Sequence, residues 1–189
     1  MNVGIARSPS GARRWLILDR DGVINHDSAD YIRSVADWRP IPGALEAISR
    51  LSAAGFGLAV ATNQSGVGRG YFSLATLNAI HARLLQAVTK AGGHIEAIAY
   101  CPHTPAESCG CRKPAPGLLL RLMADCGFAP ADSVMIGDAQ RDLEAARAAA
   151  VACIAVGTGA SELGTRHGVP AFADLGAAAD WLLQGHWPC

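Results

Sequence analysis

The sequence predicts an α/β fold: a single doubly wound, mainly parallel sheet with helices on both faces and a minimal cap. Three observations carry this. Short, wholly apolar runs recur along the chain, as strands buried on both faces require. Helical patterns separate the runs, so successive strands run parallel through crossovers. The chain has 189 residues, half of them apolar and 17% charged, enough for one substantial core and too apolar for disorder.

Taken in order, Trp15–Leu18 (WLIL) reads as the first strand. Phe56–Ala61, Ile95–Tyr100, Val134–Ile136 and Cys153–Val156 repeat the pattern. Between the first two, a helix is expected from Pro42, suited to a first turn, to Ala54, stopped by Gly55. Ser73 is a good N-cap for the next, which carries Leu74, Leu77, Ile80, Leu84 and Val88 at helical spacing and ends before Gly92-Gly93. Further helices are expected over Pro116–Cys126, Asp142–Ala150 and Asp174–Leu183. Residues 1–12, small and polar, read as a loose tail before a single domain, 13–189. His186 and Trp187 suggest a C-terminal segment packed on the body.

Lys plus Arg equals Asp plus Glu at 16 each. The missing basic surplus argues against a nucleic-acid binder, and no stretch approaches a membrane span. The first residues lack a signal-peptide core, so the expectation is a cytoplasmic protein, and net neutrality with a small core fits a monomer.

In doubly wound sheets, ligands sit at the carboxyl ends of the strands. Those ends carry Asp19-Arg20-Asp21-Gly22, then Thr62-Asn63-Gln64-Ser65-Gly66, then a cysteine loop leading to Lys113, then Gly137-Asp138 with Asp142 beyond. Each residue alone reads as a cap, a turn or a surface charge. Together they suit phosphoryl transfer. A carboxylate, Asp19, can attack phosphorus and split hydrolysis into two easier steps. Mg²⁺, a cation that takes oxygen ligands, can be held by Asp19 and Asp138 and offset the repulsion between carboxylate and phosphate. Lys113 and the Thr62 hydroxyl can stabilise the transferring group. Asp21 can protonate the leaving oxygen and later activate water.

The loop Cys101–Cys111 gathers Cys101, His103, Cys109 and Cys111, the full donor set for tetrahedral Zn²⁺. A reducing compartment favours metal over a disulfide, and a closed four-ligand site is structural. Its expected work is to fix the direction of Arg112 and Lys113. Cys126, Cys153 and Cys189 read as buried thiols. His26, His81 and His94 carry no expected chemistry.

The motifs LDRDG, TNQSG, RKP and IGDAQRD resemble, in order, the four motifs of the haloacid dehalogenase superfamily. The resemblance implies Asp19 as nucleophile, Asp21 as acid–base, and Mg²⁺ held by Asp19, Asp138 and the backbone carbonyl of Asp21, with Asp142 in support. CPH…CxCRKP with DRDGVIN and TNQSGVGRGYF resembles more narrowly the heptose 1,7-bisphosphate 7-phosphatases and the related histidinol-phosphate phosphatase domain. Both carry a zinc loop here. The resemblance implies a small phosphosugar substrate, in heptose nucleotide precursor biosynthesis, contacted by Asn63, Gln64, Ser65 and Arg112, with Asp27 and Ser28 assisting. Ala139 departs from the lysine many heptose enzymes have, which removes one substrate contact. The alternatives are histidinol phosphate as substrate and a zinc-braced binding module without turnover.

Overall fold

The computed structural model describes residues 5–9, 11–158 and 168–188. Its centre is a six-stranded sheet: β1 (Trp15–Leu18), β2 (Gly57–Asn63), β3 (Ala97–Cys101), β4 (Ser133–Gly137), β5 (Ala152–Val156) and β6 (Ala171–Phe172). All pairings are parallel, in the order β3-β2-β1-β4-β5-β6. β1 therefore lies between β2 and β4, where the order reverses and a crevice opens at the strand ends.

Helices cover both faces, because alternate residues of every central strand are apolar. Leu16, Leu18, Leu58, Val60, Val134 and Ile136 point to one side. There they meet α1 (Ala44–Ala53), α3 (Leu74–Lys90) and α6 (Leu175–Leu183). Ile17, Ala59, Ala61, Met135 and Cys153 point to the other, against α4 (Gly117–Cys126) and α5 (Gln140–Ala148). Burying one such large aliphatic side chain contributes roughly 1.5–3 kcal/mol.

The expected boundaries hold to within two residues. Ser73 caps α3, its Oγ accepting from the Thr76 N–H at 3.0 Å. Asp174 does the same for α6 through the Ala177 N–H at 2.8 Å. Gly127, at φ 71°, closes α4 in the left-handed conformation that suits glycine. β6 was not expected, nor was α2 (Ser65–Gly68), a single turn rich in glycine. It is held by tertiary bonds, since the Gln64 and Gly68 amides donate to the Cys101 and Pro102 carbonyls.

The tail expected over residues 1–12 needs correction for its described part. Arg7 bridges Arg13 in antiparallel fashion, the Arg14 amide donates to the Ala6 carbonyl, and Ala6 is buried against the core. An apolar Ile5-Ala6 pair gives this segment something to bury. At the other end Trp187 stacks on Phe56 with ring centres 6.4 Å apart and lies under the Arg14 guanidinium, so the C-terminal segment packs on the body as expected. Cys153 is buried and Cys126 half-buried; Cys189 lies outside the described residues. Among the described residues no helix is long and apolar enough to cross a membrane.

Candidate active site

β1 delivers Asp19, Arg20 and Asp21 to the crevice. The Asp19 carboxylate is buried and meets the Lys113 Nζ at 2.9 Å. Lys113 is itself wholly buried; its ammonium also forms an ion pair with Asp142 Oδ1 at 2.7 Å and donates a hydrogen bond to the Ala61 carbonyl at 2.8 Å. Asp142 is equally committed: its other oxygen accepts from the Ala139 N–H and caps α5. Asp142 thus lies between the lysine and the start of α5.

Oxygens of Asp19, Asp138 and Asp142 lie within 4.8 Å of one another, all buried. Burial, opposed by Lys113, pushes the Asp19 carboxyl up to about 7. Burial and the neighbouring Asp142 charge push Asp138 up to about 6. Buried carboxylates this reluctant to ionise are a donor set suited to a hard divalent cation. Gly22 adds a steric fit: at φ 81°, a Cβ there would sit 2.5 Å from Asp138 Oδ2. Only glycine lets that carboxylate lie against the loop after Asp21.

Asp21 faces elsewhere. Its carboxylate accepts from Arg20 Nε and Nη2, from Asn25 Nδ2 at 2.8 Å and from Gln64 Nε2 at 2.9 Å. Gln64 also donates to the Thr62 hydroxyl at 2.8 Å, joining the acid–base candidate to the phosphoryl-stabilising one. Asn63 holds Lys113 reciprocally: its amide donates to the Lys113 carbonyl at 2.9 Å and accepts from the Lys113 N–H at 3.0 Å.

A cavity of about 210 Å³ opens above these groups, lined by Asp19, Asp21, Asn63, Gln64, Ser65 and Arg112, with Asp27 and Ser28 at its edge. Every substrate-contact residue expected from the sequence therefore borders one space; Thr62, Lys113 and Asp138 lie buried beside it. Asp27 and Ser28 also border a wider, open cavity of about 820 Å³ formed by the 26–39 segment. Arg69 is exposed and outside both.

The structure adds a residue the sequence reading missed. Arg141 lines the cavity, with Nη2 3.9 Å from Asp19 Oδ2. Asp19, Asp142, Asp138 and Asp27 hold its guanidinium charged against the cost of burial. Its signal was available, one residue before Asp142 on the first turn of a helix that begins at the strand end.

The cysteine loop leaves the end of β3. Cys101, His103, Cys109 and Cys111 bring one donor atom each into a single cluster, with contacts of 3.2–3.5 Å and no disulfide among them. Four donors this close can hold one tetrahedral ion. The cluster adjoins Arg112, whose Nη1 reaches toward the His103 carbonyl at 3.4 Å.

A family model described as HAD-hydrolase-like matches residues 110–177. The D-glycero-β-D-manno-heptose-1,7-bisphosphate 7-phosphatase of Pseudomonas aeruginosa is 50% identical over 179 residues, 92% of this chain and 99% of that protein. The chain belongs to this phosphatase family. Within the heptose-bisphosphate phosphatases, the Bordetella bronchiseptica enzyme has a crystal structure with magnesium and phosphate. It matches with a TM-score of 0.86 at 42% identity, covering 92% of this chain and 99% of that one. A Mycobacterium bovis relative named for the α anomer is 39% identical over 82% of this chain and 84% of that protein. The expected fold and family stand, and Mg²⁺ as cofactor is supported by the magnesium complex of the B. bronchiseptica relative.

Proposed function

We propose that the protein is a Mg²⁺-dependent phosphatase that removes the 7-phosphate of D-glycero-D-manno-heptose 1,7-bisphosphate. The observation that carries this is the convergence of Asp19, Asp138 and a fully buried Lys113 beside a cavity flanked by Arg112 and Arg141. The β anomer is the favoured substrate, because the P. aeruginosa relative named for it is more similar than the M. bovis relative named for the α form.

In this reading Mg²⁺, held by Asp19, Asp138 and the Asp21 carbonyl, neutralises phosphate charge when bound. Lys113 orients the Asp19 carboxylate, whose oxygen attacks phosphorus. Thr62 and Lys113 stabilise the transferring oxygens. Asp21 gives its proton to the departing heptose oxygen, then takes one from the water that cleaves the aspartyl-phosphate. Asn63 positions Lys113, Gln64 and Ser65 border the phosphate, and Asp27 and Ser28 lie where sugar hydroxyls would pass. Arg112 and Arg141 supply positive charge for the 1-phosphate; Arg141 offers on α5 the charge that Ala139 lacks. Cys101, His103, Cys109 and Cys111 hold a structural Zn²⁺ that keeps Arg112 and Lys113 in register. The enzyme is read as a cytoplasmic monomer acting on a small molecule.

The test is phosphate release from the α and β heptose bisphosphates and from histidinol phosphate, with and without Mg²⁺. The β substrate should be turned over best and the Asp19→Asn variant should be inactive. Faster release from histidinol phosphate would replace the substrate assignment, and turnover by Asp19→Asn would remove the covalent step.

A further inference from the structure

Arg20 is an arginine with almost no exposure, on the loop between the two aspartates of the first motif. Its guanidinium forks onto the neighbouring Asp21, Nε to Oδ1 at 3.0 Å and Nη2 to Oδ2 at 2.9 Å. The remaining arm, Nη1, ends 3.3 Å from Nε2 of His81, sixty-one residues away on α3. His81 is also buried, beside the Tyr100 ring.

Guanidinium has donors only, so this contact requires the Nε2 lone pair and places the imidazole proton on Nδ1. The surroundings favour that neutral form, since burial and the Arg20 charge lower the His81 pKa to about 4, against the opposing pull of Asp21. A fork can rotate about its own axis. The two bonds to Asp21 leave Nη1 as a buried donor, and an unmet buried donor costs about 1–3 kcal/mol. His81 meets that need in one orientation of the guanidinium, the one that presents the fork squarely to Asp21.

We propose that His81 and Arg20 are positioning residues that set the aim of the Asp21 carboxylate for proton transfer to the leaving group. The inference rests on the phosphatase reading and on Asp21 as its acid–base. Asn25 and Gln64 complete the socket, so Asp21 accepts four donors from two segments of chain, its own loop and the residue after β2, with α3 standing behind Arg20. Arg20 borders the cavity with almost no exposure and His81 lies behind it, and both act through Asp21.

A leaving group that departs as a stable anion has little need of an acid, whereas a sugar alkoxide needs one. The experiment compares kcat/KM for heptose 1,7-bisphosphate and p-nitrophenyl phosphate, because this ratio reports the steps through leaving-group departure. In His81→Ala, kcat/KM should fall on the order of 10-fold for the sugar ester and less than about 2-fold for the aryl ester. His81→Gln, which keeps an acceptor oxygen, should recover most of the loss, and Arg20→Lys, which loses the fork, should reproduce it. Equal losses on both esters, or no loss, in a His81→Ala protein that melts as the parent does would overturn the inference, and so would a His81→Gln protein that melts as the parent does and loses as much on the sugar ester as His81→Ala. Asp21→Asn on the same pair separates the two readings. Its failure to discriminate between esters would sink the acid–base assignment itself, while discrimination by Asp21→Asn without any by His81→Ala would sink only the positioning role.

Discussion

At the scale of single residues, Lys113 is the centre of charge, joining Asp19, Asp142 and the Ala61 carbonyl in a space closed to water. Lys113→Met would leave two buried carboxylates without their counter-ion, a loss on the order of 3–5 kcal/mol. Denaturant melts should show it, and phosphate release should fall at least about 100-fold. Titration gives a second outcome. Asp19 and Asp138 have folded pKa values raised to about 7 and about 6, so the folded state binds protons more tightly than the unfolded chain. Their contribution is complete below about pH 4, the ordinary carboxyl range, and is lost as pH rises toward 7. Metal-free protein should therefore melt at a higher temperature at pH 5.5 than at pH 8. Protons and Mg²⁺ compete for these oxygens, so Mg²⁺ affinity measured by calorimetry should weaken as pH falls through the same window. Residue types at the strand ends announced this chemistry in the sequence, because each motif is contiguous. The link from Arg20 to His81 was not legible, since it exists only when β1 and α3 are packed together, and nothing near His81 in the chain marks it.

At the scale of elements, what the sequence disclosed tracks how locally each element is specified. α3, α4 and α6 end or begin on their own signals: Ser73, Gly127 and Asp174. α2 has no apolar period and two glycines, and its hydrogen bonds go to the residues at the end of β3; no local pattern could reveal it. β6 is two residues long and exists by pairing with β5. The cysteine loop belongs with these dependent elements. It has little apolar material, and a metal contributes on the order of 10 kcal/mol to ordering a segment of this kind. Cys109→Ser should reduce bound zinc, measured by emission spectroscopy, and lower phosphate release at least about 10-fold by letting Arg112 and Lys113 drift. Far-UV dichroism should stay nearly unchanged, because Cys101, at the end of β3, is the loop's one residue in the sheet.

For the whole molecule, the core and the chemistry occupy separate territory. Trp187 packs against Phe56 and Arg14, on the face carrying α1 and α6 and away from the catalytic cavity. Trp187→Ala should cost about 2 kcal/mol, less than a fully buried tryptophan, and lower Tm by roughly 4–8 °C, with kcat and KM unchanged. Parallel pairing and two-sided burial were readable from the apolar runs and the helices between them, but the buried Ala6 segment was not, since two apolar residues among polar ones give no period. The 19–43 segment, finally, has neither helix nor strand in it and frames an open cavity beside the site. Among the described residues there is no hinged domain over the site to swing shut and reopen in each cycle. The enzyme's clock is then set by bond making and breaking, and thickening the solvent with sucrose should leave kcat unaltered.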